Sequence, residues 1–373
     1  MSMRCTMFRR RAALLVAATI VSGCSMQQSA ERDVTPTGLL PFTYAPMRPG
    51  FHHGGVRAIF EDRHGNRWIG SHAEGVCRID ASGITHFTEA DGLSNNQVRS
   101  IQEASDGTIW FDCGFGISSF DGARMRTHAT GGHSLLATWA LEPDDLWFKS
   151  SESHGFSAAE REAGVHRLHG GTLTYLPLPL PPALRTNAGY SVTAFAKGKG
   201  GRIWIATYDA VFGFDGSSFT IIDGSRMGLR PGEGVPHVRG VFEDSRGRVW
   251  IGNNGVGVVV VDGDRTFGVA PLVGEGDALL RMGSPLTASS AANHDGSLQR
   301  AFSFGEDRDG SIWIGTIGGG VWRYDGRELR QFTAKDGLTT PDVMTIARDR
   351  DGELWFGGIG VFRFTGTRFE RVH

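Results

Sequence analysis

Seven of the nine tryptophans in this 373-residue chain stand in one recurring local context, and that repeat limits the possible folds more than any other feature. Trp68, Trp110, Trp147, Trp204, Trp250, Trp313 and Trp355 recur about every 48 residues. The clearest copies are Glu61 to Gly70 (EDRHGNRWIG) and Glu243 to Gly252 (EDSRGRVWIG); Glu306 to Gly315 and Arg348 to Gly357 repeat the pattern. Ala104 to Phe111 and Gly198 to Ala206 are looser, and the copy around Trp147 has lost its turn glycine. An alternating apolar run such as Val56-Arg57-Ala58-Ile59-Phe60 precedes each copy and reads as a half-buried strand. Asp-x-x-Gly then closes a hairpin, the carboxylate capping the turn and Gly taking the left-handed conformation. The Trp strand follows, then a third strand (Gly75 to Asp80 in the first copy) and a fourth (Ile84 to Thr88). Four antiparallel strands per repeat make a propeller blade, whose two apolar faces are covered only by neighbouring blades. The expected fold is all-β, a seven-bladed β-propeller with four-stranded antiparallel blades over residues 51–373.

Gly at 54 of 373 residues is about twice ordinary usage, while 40% of residues remain hydrophobic, which suits many turns around short strands rather than disorder. The unit Glu-Asp-x-x-Gly-x-Leu/Ile/Val-Trp-Ile-Gly, with Asp91-Gly92-Leu93 or Asp336-Gly337-Leu338 between copies, resembles the two-component regulator propeller repeat. That resemblance implies a periplasmic ligand-sensing domain. Such propellers usually continue into a transmembrane helix and a kinase, and this sequence shows neither after the last copy. A separate signalling partner is therefore expected.

Arg4, Arg9, Arg10 and Arg11 precede an apolar stretch from Ala12 to Val21, too short to span a bilayer and built like a secretory leader. The following Val21-Ser22-Gly23-Cys24 resembles a bacterial lipoprotein cleavage box. By that resemblance residues 1–23 are a signal peptide, Cys24 is lipidated, and Ser25 directs the protein to the periplasmic face of the outer membrane. Residues 24–50 read as the lipidated Cys and a polar tether. Cys77 and Cys113 remain, either as a disulfide or as buried free thiols.

The 38 Lys and Arg nearly balance 40 Asp and Glu, so no overall field points to nucleic acid. Turns between first and second strands are short in every copy. The long insertions (149–163, 177–190 and 271–299) all leave from the opposite face, which predicts an elaborated channel mouth there. Leu176 to Pro182, with its alternating prolines, also reads as plain spacer. Arg57, Arg99 and Arg239 occupy one equivalent position inside the first strands of blades one, two and five. Channel-lining first strands would gather these guanidiniums to capture a carboxylate or phosphate, as on a uronate-bearing glycan; the alternative is that each pairs with an acidic neighbour from the next blade. His72, Glu74, Asp112, Lys149, Tyr208, Asn253 and Asn254 are further binding candidates, assigned to loops. No catalytic motif, cofactor or metal set is recognisable, and the Asp-rich turns at Asp307 and Asp349 lack the glutamate of a calcium loop.

The leading expectation is a monomeric, non-catalytic propeller that binds a small molecule or glycan and acts through a separate sensor kinase or outer-membrane complex. A lyase of the streptogramin or pectin type, using His237 or His294, is the enzymatic alternative. A lipid-anchored scaffold for protein interaction is the third.

Overall fold

The computed structural model describes residues 55–129, 138–149, 162–229, 235–254, 257–269, 279–281 and 298–373. The leader, Cys24, the tether, His294 and most of two insertions lie outside them. The described strands form seven separate antiparallel sheets, each built from strands consecutive in sequence. Blades 1 to 7 span residues 56–87, 98–128, 146–177, 192–223, 238–281, 301–332 and 345–371. Five have four strands, blade 5 gains a fifth at Leu279–Arg281, and blade 3 shows three among its described residues. The seven-bladed propeller is the fold the repeat predicts.

The repeat motif has a physical explanation in the turns of blades 1, 5, 6 and 7. In blade 1, one Asp62 oxygen accepts the backbone N–H groups of His64 and Asn66, each at 2.9 Å, and so closes the turn. The other oxygen accepts the Trp68 indole N–H at 2.9 Å. Gly65 sits at φ 78°, which completes the reversal without a Cβ clash. Asp244, Asp307 and Asp349 hold Trp250, Trp313 and Trp355 in the same way, at 2.8–2.9 Å. The carboxylate therefore both shapes the hairpin and satisfies the one polar atom of a side chain that is otherwise in the core.

The glutamate before that aspartate works between blades. Glu103 of blade 2 accepts the backbone N–H of Arg63 in the blade 1 turn at 2.9 Å. Glu243 accepts from Lys199 at 3.2 Å, and Glu306 from Ser245 at 2.7 Å. Glu61 of blade 1 accepts from Arg350 of blade 7 at 3.2 Å, so the same contact closes the ring. In blade 4, Gly198 stands where blades 1, 5, 6 and 7 have aspartate, and the Trp204 indole donates instead to Glu243 of the next blade.

Each tryptophan packs towards the following blade. Trp68 meets Phe111 and Phe120 of blade 2 with ring centroids 5.6 Å apart, and Trp313 meets Phe356 of blade 7 at 5.3 Å. Trp355 lies 4.2 Å beneath the Arg67 guanidinium of blade 1, beside a shared cluster of Val56, Ile69, Cys77 and Val361. Among the described residues no strand is exchanged across this seam, and packing and polar contacts join its two sides. Cys77 and Cys113 are free and buried, and burial pushes their thiols up to about 12 and about 11. The Leu176 to Pro182 segment is no spacer: Leu176, Leu178 and Leu180 are all buried in the core between blades 3 and 4, anchoring the insertion that continues through two short 3-10 helices.

Replacing Asp62 by Ala should cost about 3 kcal/mol, because a buried indole N–H loses its acceptor and the turn loses its cap. Urea denaturation of the variant against wild type checks this, and a change under about 1 kcal/mol would mean the turn holds without the carboxylate.

Candidate functional site

The first strands of blades 1, 2, 4, 5 and 6 each open with a β-bulge, and the bulge decides what faces the channel. In blade 1, Val56 pairs with Ser71 and Ala58 with Gly70, which leaves Arg57 as the extra residue. The same shift singles out Arg99 in blade 2, Thr193 in blade 4, Arg239 in blade 5 and Phe302 in blade 6. A bulge bends its strand and re-aims one side chain. All five residues, with Met344 at the corresponding place in blade 7, line one cavity of about 210 Å³ in the channel. The bulges sit at the strand ends opposite the short first turns, on the face that carries the insertions.

Two further charges enter where the repeat breaks. The position two after each motif Trp is Gly70, Ala206, Gly252, Gly315 or Gly357 in the regular blades. There the next blade lies too close for anything larger: a Cβ on Gly315 would stand 2.6 Å from the Val343 carbonyl oxygen. Blades 2 and 3 carry Asp112 and Lys149 at this position instead, and both line the cavity. The Lys149 backbone N–H donates to the Asp112 carboxylate at 3.0 Å, and its ammonium donates to the Thr193 carbonyl at 2.6 Å.

The cavity thus gathers three guanidiniums and one ammonium around a single carboxylate. Expected pairing of the arginines with acidic neighbours is not found among the described residues. Arg57 donates to the Met344 thioether at 3.4 Å and Arg99 to the Gln97 side-chain oxygen at 2.8 Å. Arg239 donates to the Tyr208 hydroxyl at 3.3 Å and to His237 Nε2 at 2.9 Å, and lies over the Tyr208 ring. Burial, then repulsion from Arg99 and Arg239, lowers the Arg57 pKa to about 10. Desolvation pulls Lys149 down to about 7; Asp112 opposes that shift and Arg99, Arg57 and Arg239 reinforce it. Thr193 Oγ1 and Arg239 Nε are buried and have no hydrogen-bond partner among the described residues.

His237 accepts from Arg239 at Nε2, which assigns its proton to Nδ1, and burial lowers its pKa. It is the one described non-glycine residue with positive φ, at 50°. Its ring serves to hold Arg239 in place. Among the described residues no group of three or more His, Cys, Asp or Glu side chains could hold a metal ion.

Of the residues singled out from sequence, Arg57, Arg99, Arg239, Asp112 and Lys149 share the cavity, and Tyr208 backs it. His72, Glu74, Asn253 and Asn254 lie outside its lining. His72 contacts Gln97 at 3.0 Å, Asn253 closes its own loop through the Gly257 carbonyl, and Asn254 bridges to Arg300. Asp112 and Asn253 are strand residues, not loop residues, because the Trp strand runs three residues past its tryptophan. Thr193, Phe302 and Met344 were missed, although their alignment with Arg57 across the copies marks them.

Three segments, residues 92–114, 232–255 and 337–360, match the two component regulator propeller family, so the chain carries repeats of that family. No curated protein matches the sequence. Among solved structures, the fold is similar to a catalytically inactive virginiamycin B lyase from Staphylococcus aureus with quinupristin (14% identity, 84% of this chain and 94% of that one, TM-score 0.54). It is also similar to the extracellular domain of a putative hybrid two component system from B. thetaiotaomicron (19% identity, 83% of this chain and 38% of that one, TM-score 0.54).

Between pH 7 and the ordinary lysine value of 10.5, the unfolded chain holds a proton on Lys149 that the folded chain has released. More protons on the unfolded state mean that stability rises with pH across this window. Lys149→Met should remove that part of the slope, so its stability advantage over wild type should shrink from neutral to alkaline pH. Urea melts of both proteins at about pH 7 and 9.5 check this, and a constant difference would mean the amine is not desolvated.

Proposed function

We propose that this propeller is a non-catalytic binding module that captures a small anionic ligand at its channel mouth. The convergence of Arg57, Arg99, Arg239 and Lys149 around one carboxylate supports this reading most directly. Like charges held together in a half-buried cavity repel, and an oxyanion placed among them relieves the repulsion while receiving bidentate guanidinium bonds. The buried, partnerless Thr193 Oγ1 and Arg239 Nε are further groups that a ligand would satisfy. The cavity volume suits a compact acid or one terminal sugar acid better than a long glycan.

The family of the repeats and the sensor-domain fold relative favour a sensing role outside the cytoplasm, through a separate kinase or outer-membrane complex. The basic, apolar leader ending at Cys24 favours export with a lipid anchor, which metabolic labelling with palmitate and a Cys24→Ser variant would test. The lyase reading has one support, the fold shared with virginiamycin B lyase, but His237 is engaged with Arg239.

Phosphate, sulfate and small carboxylates should raise the melting temperature of the full chain, and neutral sugars should not. The gain should fall with salt and disappear when Arg57, Arg99 and Arg239 are all replaced by Ala. An undiminished shift in that triple variant would place the anion elsewhere and defeat the proposal.

A further inference from the structure

The chain uses lysine sparingly: four residues, Lys149, Lys197, Lys199 and Lys335, among 38 basic ones. The other three are exposed, and only Lys149 faces the channel. For electrostatic capture alone an arginine serves better, since its planar fork binds oxyanions bidentately and keeps its charge. What an amine adds is a lone pair. Lys149 also occupies the Trp-plus-two position that the regular blades reserve for glycine or alanine, so its place in the cavity is a departure from the repeat.

We propose that Lys149 is a reversible covalent capture site for a small oxo acid, forming an imine with the ligand carbonyl while the arginines hold its carboxylate. This rests on the anion-binding reading of the same cavity and names the ligand class. The Lys149 Nζ lone pair attacks the carbonyl carbon, and the carbonyl oxygen takes up a proton to give a carbinolamine. Loss of that oxygen as water, with the second amine hydrogen, forms the C=N bond; the condensation is redox-neutral and needs no further reactant. Asp112, whose carboxylate accepts the Lys149 backbone N–H and attracts its ammonium, is the carboxylate of the cavity lining that would exchange protons during dehydration. The Thr193 carbonyl at 2.6 Å fixes the amine beside the bulge residues.

The groups facing Lys149 from neighbouring elements set its reactivity. Burial and the three guanidiniums of blades 1, 2 and 5 favour the free base, and Asp112 of blade 2 favours the ammonium. The pKa of about 7 leaves a large share of free amine at neutral pH, where an exposed lysine has almost none.

The test is reductive trapping on the full chain with pyruvate and sodium cyanoborohydride near neutral pH, read by peptide mass spectrometry, with lactate as the anion that has no carbonyl. The expected result is a reduced pyruvate adduct on Lys149 in roughly tenfold or greater excess over Lys197, Lys199 and Lys335. It should be suppressed by excess phosphate and absent from Lys149→Arg, whose cooperative urea unfolding would show an intact fold. Equal labelling of all four lysines would overturn the inference as surface chemistry. Lactate and pyruvate both raising the melting temperature, with no adduct at Lys149, would overturn imine formation while leaving anion capture standing. If no anion shifts the melting temperature and no adduct forms, both fail together.

Discussion

The hydrogen bond from a buried tryptophan indole to the aspartate of its own turn is the contact on which the ring depends. A blade needs a large apolar side chain at the inter-blade face, and indole supplies the area, but it brings an N–H that cannot be left unpaired. The turn aspartate already faces inward to cap the hairpin, so one carboxylate meets both needs. Its neighbouring glutamate then reaches the preceding turn, which converts a local motif into a lateral bond between blades. The one motif therefore encodes hairpin, core and ring closure. It also explains how blade 7 joins blade 1 with no strand shared among the described residues: Glu61 meets Arg350 as Glu103, Glu243 and Glu306 meet the turns before them, and Arg67 adds a guanidinium over Trp355.

That framework fixes the backbone closely enough that small departures become visible as chemistry. The bulge at the head of the first strand in blades 1, 2, 4, 5 and 6 delivers one side chain to the channel whatever its identity, which lets function vary without cost to the fold. Blades 1, 2 and 5 place arginine there, blades 4 and 6 place Thr193 and Phe302, and Met344 lines the cavity from the corresponding place in blade 7. The Trp-plus-two position is the opposite kind of site. Glycine is required where the neighbouring blade packs tightly, as at Gly252 and Gly315, whereas Asp112 and Lys149 take this position beside the cavity.

The sequence made the blades legible because packing and turn chemistry repeat in register, and seven copies reinforce one another. The equivalence of Arg57, Arg99 and Arg239 was legible for the same reason. Two things were hidden. A bulge is a property of pairing between strands, so no single strand pattern announces that Arg57 is the extra residue. The meeting of Lys149 with the arginines was equally hidden, because blade 3 has the weakest copy and Lys149 looked like the start of a loop. Comparing the residue two after each tryptophan would have exposed it, as Gly or Ala gives way to Asp112 and Lys149 in adjacent blades.

The choice of cation carries the argument from binding to chemistry. A channel that needed only positive charge would be served by arginine throughout, in a chain that already prefers it nearly everywhere else. Guanidiniums stay protonated even when crowded, as Arg57 does with a pKa of about 10. An ammonium in the same surroundings yields its proton, because desolvation and three fixed positive neighbours both penalise the charged form. The arginines therefore do two things at once: they attract the oxyanion of a ligand, and they keep the amine beside it in the form that can react. Neither effect exists without the bulges that turn the arginines inward, and in blades 1 and 5 the bulge is held by the same strand pair whose tryptophan the turn aspartate secures.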